Sequence, residues 1–304
     1  MKTKIALFIT AALASGSALA NNDATANLYL TNDSAVTITQ VSSSQGNSAL
    51  IDSSFSSGNT LSVYQNGGDN AATIRAFDVD GSTLAINQTG DTNTGSITAL
   101  GAKNANFSIN QGGDLNDASI KTDNYHRGRA YSYDNDTVSV VQNGTENTTS
   151  VELKRGTDDS NVSLAASGSG NQANVVLDWA DSSMVTGNVQ GTDNVADVLI
   201  DSGYGNEVAF TQNGTANQLD VDVLYSDINT VHVNQTGSNN AADVDLIASD
   251  DNDIYVTQSS ANADANVYVN WSSNNTISVM QTYGDTANVN LALSHNNTVT
   301  ISQY

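Results

Sequence analysis

Glutamine recurs in this chain at a fixed interval, and that interval constrains the fold more than any other feature. Written in rows, the sequence puts Gln40, Gln65, Gln88, Gln111, Gln142, Gln212, Gln235, Gln258, Gln281 and Gln303 in one column, most neighbours lying 22 or 23 residues apart. The gap of 70 residues between Gln142 and Gln212 holds two further rows, with Ala166 and Val189 in the glutamine position. Apolar pairs stand four and two residues before the column, as in Leu61 and Val63, Phe107 and Ile109, Val208 and Phe210. A second set stands nine and eleven residues after it, as in Val151 and Leu153, Val198 and Ile200, Val244 and Leu246. Asn or Ser lies six before (Ser34, Asn59, Ser82, Asn229, Asn297). Glycine lies two after, and asparagine five after, at Asn70, Asn93, Asn116, Asn147, Asn171, Asn194, Asn217 and Asn240.

Each repeat therefore contains two stretches of period-two alternation separated by a Gly and Asn turn, the pattern of two half-buried strands. A unit of this size cannot fold alone: four buried aliphatics contribute ~6 to 12 kcal/mol against ~35 kcal/mol of conformational entropy at ~1.5 per residue. Stacking on identical neighbours supplies the difference. The expected fold is all-β, a two-strand-per-rung parallel β-solenoid of about 11 full repeats of 22–23 residues with half rungs at each end. At ~4.8 Å per rung, twelve rungs make a rod of roughly 55 Å. The absence of proline fits continuous ladders, because average usage would place about 15 in a chain of this length and each removes a backbone donor.

Alternation points the glutamines to the same side as the aliphatic pair, into the solenoid. A buried amide without a partner costs about 1 to 3 kcal/mol. In register, each Gln can donate to the Gln of the next rung, and the turn asparagines can do likewise, so only the ends of each ladder lack a partner. Such ends, with their unpaired strand edges, are templates for another chain. Residues 22–28 read as the second half of a rung and Asn297 to Tyr304 as a first half. Two copies joined head to tail would complete a shared rung, a heterologous contact that extends without closing.

Lys2 and Lys4 precede the apolar run Ile5 to Ala14, and Ala18-Leu19-Ala20 offers the small residues of a cleavage site, so residues 1–20 read as a signal peptide and the chain as secreted. The solenoid then spans 21–304, with a loop insertion around 121–136. With 9 Lys plus Arg against 32 Asp plus Glu, the formal charge of -23 argues against nucleic acid or an anionic membrane surface as partner. No further apolar stretch reaches the roughly 18 to 20 residues of a spanning helix, so no membrane insertion is expected. Zero cysteines exclude disulfides and thiolate metal sites.

The column pattern Ser/Asn-x5-Gln-x-Gly-x-x-Asn-x-Ala, as in Asn59 to Ala72 and Asn229 to Ala242, resembles the curlin repeat of bacterial curli amyloid subunits. That resemblance covers nearly the whole chain after residue 20. It implies a two-strand solenoid that polymerises outside the cell into fibres of the biofilm matrix. It also implies export through an outer-membrane secretion channel and nucleation by a minor subunit. The chain departs from the family at the second glutamine, four residues after the Ala. That slot holds Ala76, Ala99, Thr122, Leu153, Leu177, Ile200, Val223, Leu246 and Val269, an aliphatic ladder in place of an amide one. It also has about twice the family's usual number of repeats, and no Gly-rich targeting segment follows residue 20.

Three further features bear on function. The interval from Gln111 to Gln142 is 31 residues and holds Tyr125, His126, Arg127, Arg129, Tyr131 and Tyr133, either a binding loop for glycans, extracellular DNA or a partner, or a bulge between rungs. Asp197, Asp220 and Asp243 share an outward column, with Asp222 and Asp245 two residues on. In register these carboxylates repel, and they read as a brake on assembly, a Ca²⁺ ladder, or a solvated face that limits lateral clumping. His126, His232 and His295 lack metal-ligand spacing, and no catalytic, phosphate-loop or calcium-nonapeptide motif is present, so neither enzyme activity nor a cofactor is expected. The leading reading is a secreted structural subunit that assembles into extracellular curli-like fibres. The alternative is a monomeric acidic β-solenoid adhesin or binding protein at the cell surface.

Overall fold

The computed structural model describes residues 5–13, 21–29, 32–42, 45–54, 57–122 and 133–304, and these contain strands and turns but no helix. The chain divides into two compact units, Met1–Asp159 and Ser160–Tyr304. Each is a two-sheet parallel β-solenoid, as the sequence predicts.

In the first unit one sheet runs Ile5–Leu13, Ser34–Ser42, Thr60–Asn66, Thr83–Thr89, Asn106–Asp114, Thr137–Thr145, each strand parallel to the next. The facing sheet runs Asp23–Leu28, Ser48–Ser53, Ala71–Ala76, Thr94–Ala99, Asp117–Thr122, Thr148–Lys154. The chain alternates between the sheets, so each rung is one strand of each. Register is set by the columns: Gln40 pairs with Gln65, Gln65 with Gln88, Gln88 with Gln111 and Gln111 with Gln142. The long interval before Gln142 leaves that register intact: Thr122 pairs with Leu153, and the short strand Tyr133–Asp134 pairs with Ala102–Lys103. Tyr125, His126, Arg127, Arg129 and Tyr131 lie outside the described residues.

The apolar run of the expected leader, Ile5–Leu13, is itself a strand paired with Ser34–Ser42 and puts Ala11 opposite Gln40. An apolar extended segment can add to an open parallel edge whenever that edge is unoccupied.

In the second unit one sheet runs Asn161–Ser169, Met184–Thr192, Glu207–Thr215, Thr230–Ser238, Asp253–Gln258, Thr276–Gln281, Thr298–Gln303. The other begins with the seven-residue strands Gln172–Asp178 and Val195–Asp201 and then shrinks to Gln218–Leu219, Ala241–Asp243, Asp264–Asn266 and Thr286–Asn288. The uniform alternation of the sequence predicts full strands here. Instead the backbone turns left-handed at Asp222, Val223 and Leu224 and again at Asp245, Leu246 and Ile247. Val221, Val223, Val244 and Leu246 nevertheless stay buried. The rung with Asn266, Tyr268 and Asn270 follows a related path without acids.

The core is the columns themselves. The aliphatic pairs are buried, and so is the slot of the missing second glutamine: Ala99, Leu153, Leu177, Ile200, Val223, Leu246 and Val269 are all sealed from solvent. Where one column member is oversized its neighbour is small. Phe210 fits because Gly187 lies beside its ring, with Leu164 on the other side of the glycine.

Candidate functional site

The sequence places the glutamine column indoors, and Gln40 through Gln281 are buried while Gln303 is half-buried. In the first unit Gln40 Nε2 donates to Gln65 Oε1 at 2.8 Å, Gln65 to Gln88 at 2.8 Å, Gln88 to Gln111 at 2.9 Å and Gln111 to Gln142 at 2.8 Å. In the second, Gln212 donates to Gln235 at 2.9 Å, Gln235 to Gln258 at 2.9 Å, Gln258 to Gln281 at 3.1 Å and Gln281 to Gln303 at 3.0 Å. The remaining amide hydrogen goes to backbone carbonyls, as from Gln65 to Ser48 and Asn70. Donation always runs toward the higher-numbered rung.

The asparagine ladder runs the other way. Asn70 Nδ2 donates back to Asn47 Oδ1 at 3.1 Å, Asn93 to Asn70 at 3.1 Å, Asn116 to Asn93 at 3.0 Å and Asn147 to Asn116 at 3.0 Å. Asn194 and Asn217 donate back to Asn171 and Asn194, each at 3.0 Å, and the backbone N–H of Asn240 donates to Asn217 Oδ1 at 3.1 Å. Asn70 Nδ2 also reaches the carbonyl of Gly90, and Asn93 that of Gly113. Those glycines have positive φ, 109° at Gly90 and 94° at Gly113, and a side chain on Gly90 would run into the Gly113 carbonyl. At the opposite turn the column six before the glutamine forms another ladder, in which Asn229, Asn252, Asn275 and Asn297 donate back to Asn206, Asn229, Asn252 and Asn275.

Three ladder starts carry a buried polar atom without a partner. Val189 pairs with Gln212 and offers no donor, and Gln212 Oε1 is buried without a partner. Gln40 begins the first ladder opposite Ala11, and its Oε1 is likewise buried without a partner. Asn22, which begins the asparagine column, accepts from the backbone of Asn47, yet its Nδ2 is buried and unpartnered. The face that begins at Asn22 and Gln40 thus presents one unmet acceptor and one unmet donor. At the last rung the groups in those columns are Gln303, whose Nε2 reaches only the Thr286 carbonyl, and the carboxylate of Asp285, level with Ala263. The strand Thr298–Gln303 keeps Val299 and Ile301 half-buried where earlier rungs seal their counterparts.

The acidic column stands outward in the second unit. Asn266 Nδ2 donates to Asp243 Oδ2 at 3.0 Å and ends the run of carboxylates. Burial pushes the Asp245 carboxyl up to about 7, helped by its hydrogen bond with Asp243 and the charges of Asp243, Asp222 and Asp220. Burial, followed by Asp222, Asp243 and Asp197, raises Asp220, and burial and Asp243 raise Asp222. Among the described residues no group of three or more His, Asp or Glu side chains is placed to hold a metal ion. His232 leans on Tyr255 with ring centres 5.5 Å apart and lies 3.9 Å from Glu207, while His295 is exposed at a turn. Among the described residues no helix is long and apolar enough to cross a membrane.

Fold and ladders define the class, a parallel β-solenoid whose core is threaded by polar amide ladders. No family model matches the sequence, and no curated protein is similar to it.

Proposed function

We propose that this chain is a secreted structural subunit that polymerises head to tail into extracellular fibres of the curli kind, each copy seating its last rung on the first rung of the next. The observation that carries the proposal is the match between ladder ends. Gln40 Oε1 needs a donor and Asn22 Nδ2 needs an acceptor. Gln303 and Asp285 of a second copy supply them in the same two columns. The backbone agrees: Gln303 donates to the Thr286 carbonyl as Gln40 does to that of Asp23, so both contacts form in one register. Val299 and Ile301 of the added strand would fall on Val36 and Ile38.

In the precursor the Ile5–Leu13 strand occupies the edge that the incoming Thr298–Gln303 strand needs, so removal of the leader is what opens it. A nucleating subunit and a secretion channel belong to the same reading. A cell-surface adhesin acting as a monomer is the alternative, and it requires no growth from seeds.

The test is seeded growth followed by thioflavin fluorescence and electron microscopy. Chain lacking residues 1–20 should elongate seeds, whereas Gln303→Leu and deletion of Asn297 to Tyr304 should slow elongation at least tenfold, and chain retaining the leader should fail to elongate. Unchanged elongation by the truncated chain refutes the head-to-tail contact.

A further inference from the structure

Eight residues after the turn asparagine column, the second unit carries a column of its own. Counting from Asn171, Asn194, Asn217, Asn240 and Ala263, the positions are Trp179, Ser202, Tyr225, Ala248 and Trp271. Each immediately precedes an inward-facing, buried residue of the turn (Ala180, Gly203, Ser226, Ser249, Ser272), so each faces outward. The three rings are 45%, 66% and 63% exposed, although aromatic side chains of this size ordinarily bury most of their surface. Two residues further on runs a parallel column of Asp181, Tyr204, Asp227, Asp250 and Ser273, held in register by the bridges Asp181 to Tyr204 and Asp250 to Ser273. The backbone N–H of Tyr204 donates to Asp227 and that of Asp227 to Asp250. Trp179 and Tyr204 flank an open hollow of about 440 Å³ with Asp181, Ser202, Gly203 and Asp227. Among the described residues of the first unit, Asp78, Gly101 and Arg155 stand eight after Asn70, Asn93 and Asn147.

The three positions recur at every second rung, ~9.6 Å apart along the stacking direction, and small residues separate them. In an extended β-1,4-linked polysaccharide each ring is about one rung long and successive rings are flipped, so the same apolar C–H face recurs at every second sugar. Such a chain lying along the solenoid axis would stack one sugar on each of Trp179, Tyr225 and Trp271, whose electron-rich faces attract the C–H groups. The neighbouring carboxylate column decides between neutral and charged polymers. Ammonium groups along the edge of the sugar chain would pair with Asp181, Asp227 and Asp250, and they also gain from nearby aromatic faces. We infer that this column is a binding site for an extended β-1,4-linked polysaccharide bearing free amino groups, a glucosamine polymer, seated along the turn edge of Ser160–Tyr304. The inference is independent of fibre formation and holds for a monomer.

Both tryptophans of the chain stand in this column, so intrinsic fluorescence reports on it directly. β-1,4-linked glucosamine hexamer titrated into the full chain should give a saturable tryptophan shift. The N-acetylated hexamer and the uncharged glucose hexamer should bind at least tenfold more weakly. Exchanging Ser202→Tyr with Tyr225→Ser keeps the composition but breaks the spacing, and should weaken binding at least tenfold. Trp271→Ala, an exposed change that leaves the column otherwise whole, should also weaken it. Tyr255→Ala, on the sheet face, should leave it unaltered. Circular dichroism checks that the variants keep their sheets. The inference is overturned by the absence of a saturable shift, by equal affinity for the acetylated hexamer, or by equal affinity after the exchange in a folded protein.

Discussion

Removing a glutamine should cost an amount set by its place in the ladder. Gln235 receives a hydrogen bond from Gln212 and gives one to Gln258. Gln235→Leu would leave one N–H of Gln212 and Oε1 of Gln258 buried without partners, two new vacancies at ~1 to 3 kcal/mol each, or about 2 to 6 kcal/mol. Gln212 begins its ladder, and its Oε1 is already unpartnered. Gln212→Leu would abolish that vacancy and create one at Gln235 Oε1, so the tally of unmet ladder groups is unchanged. The leucine side chain and the lost bond to a backbone carbonyl are common to both variants and cancel in the comparison. Because solenoids respond locally, native-state hydrogen exchange suits the question better than a single melting point. Amides in Glu207–Thr215 and Asp253–Gln258 should exchange about 30-fold faster or more in Gln235→Leu than in Gln212→Leu, at 1.4 kcal/mol per tenfold. Equal acceleration in the two variants would refute the view that the amides act as one directional chain.

Two further outcomes are expected. Asp245, Asp222 and Asp220 have raised folded-state values, so the folded chain binds protons more tightly than the unfolded one, and stability from these groups should rise as pH falls from about 7 toward the unfolded range near ~4. Asp245→Asn should reproduce part of that gain at pH 7.5 in guanidinium unfolding, and a variant no more stable than wild type there would count against the repulsion. Gly187→Ala puts a methyl against the Phe210 ring and should destabilise by about 1 to 3 kcal/mol, with recovery in the double variant carrying Phe210→Leu; no recovery would show that the clash lies elsewhere.

Much of the fold was legible because parallel stacking repeats one pattern in every layer. The glutamine column alone fixes register across the insertion between Gln111 and Gln142, and the aliphatic pairs tell which way each strand faces. The direction of the ladders was not legible, since Gln and Asn carry both donor and acceptor and only the turn of each amide decides which way it donates. The unmet group at Gln212 follows from that direction together with Val189. The shortened strands after Gln218 were hidden because Val221 and Val223 face inward whether the backbone between them is extended or left-handed. Trp179, Tyr225 and Trp271 were not legible as a column because Ser202 and Ala248 interrupt it, and a residue type that recurs at every second rung lacks the period of the others.

The opposite polarity of the two ladders bears on what kind of assembly the ends could support. Two first rungs brought face to face with each column laid on itself would oppose Gln40 Oε1 to Gln40 Oε1 and Asn22 Nδ2 to Asn22 Nδ2, acceptor on acceptor and donor on donor. Two last rungs would set Gln303 Nε2 against itself and the carboxylate of Asp285 against another carboxylate. Either arrangement leaves all four groups unmet at ~1 to 3 kcal/mol apiece, more for the charges. A first rung on a last rung satisfies both columns with like column on like. A contact that joins unlike ends is heterologous, and where its repetition does not close into a ring its product would be a filament. The amides thus do more than fill the interior: by running in opposite directions they give the two ends complementary groups in each column.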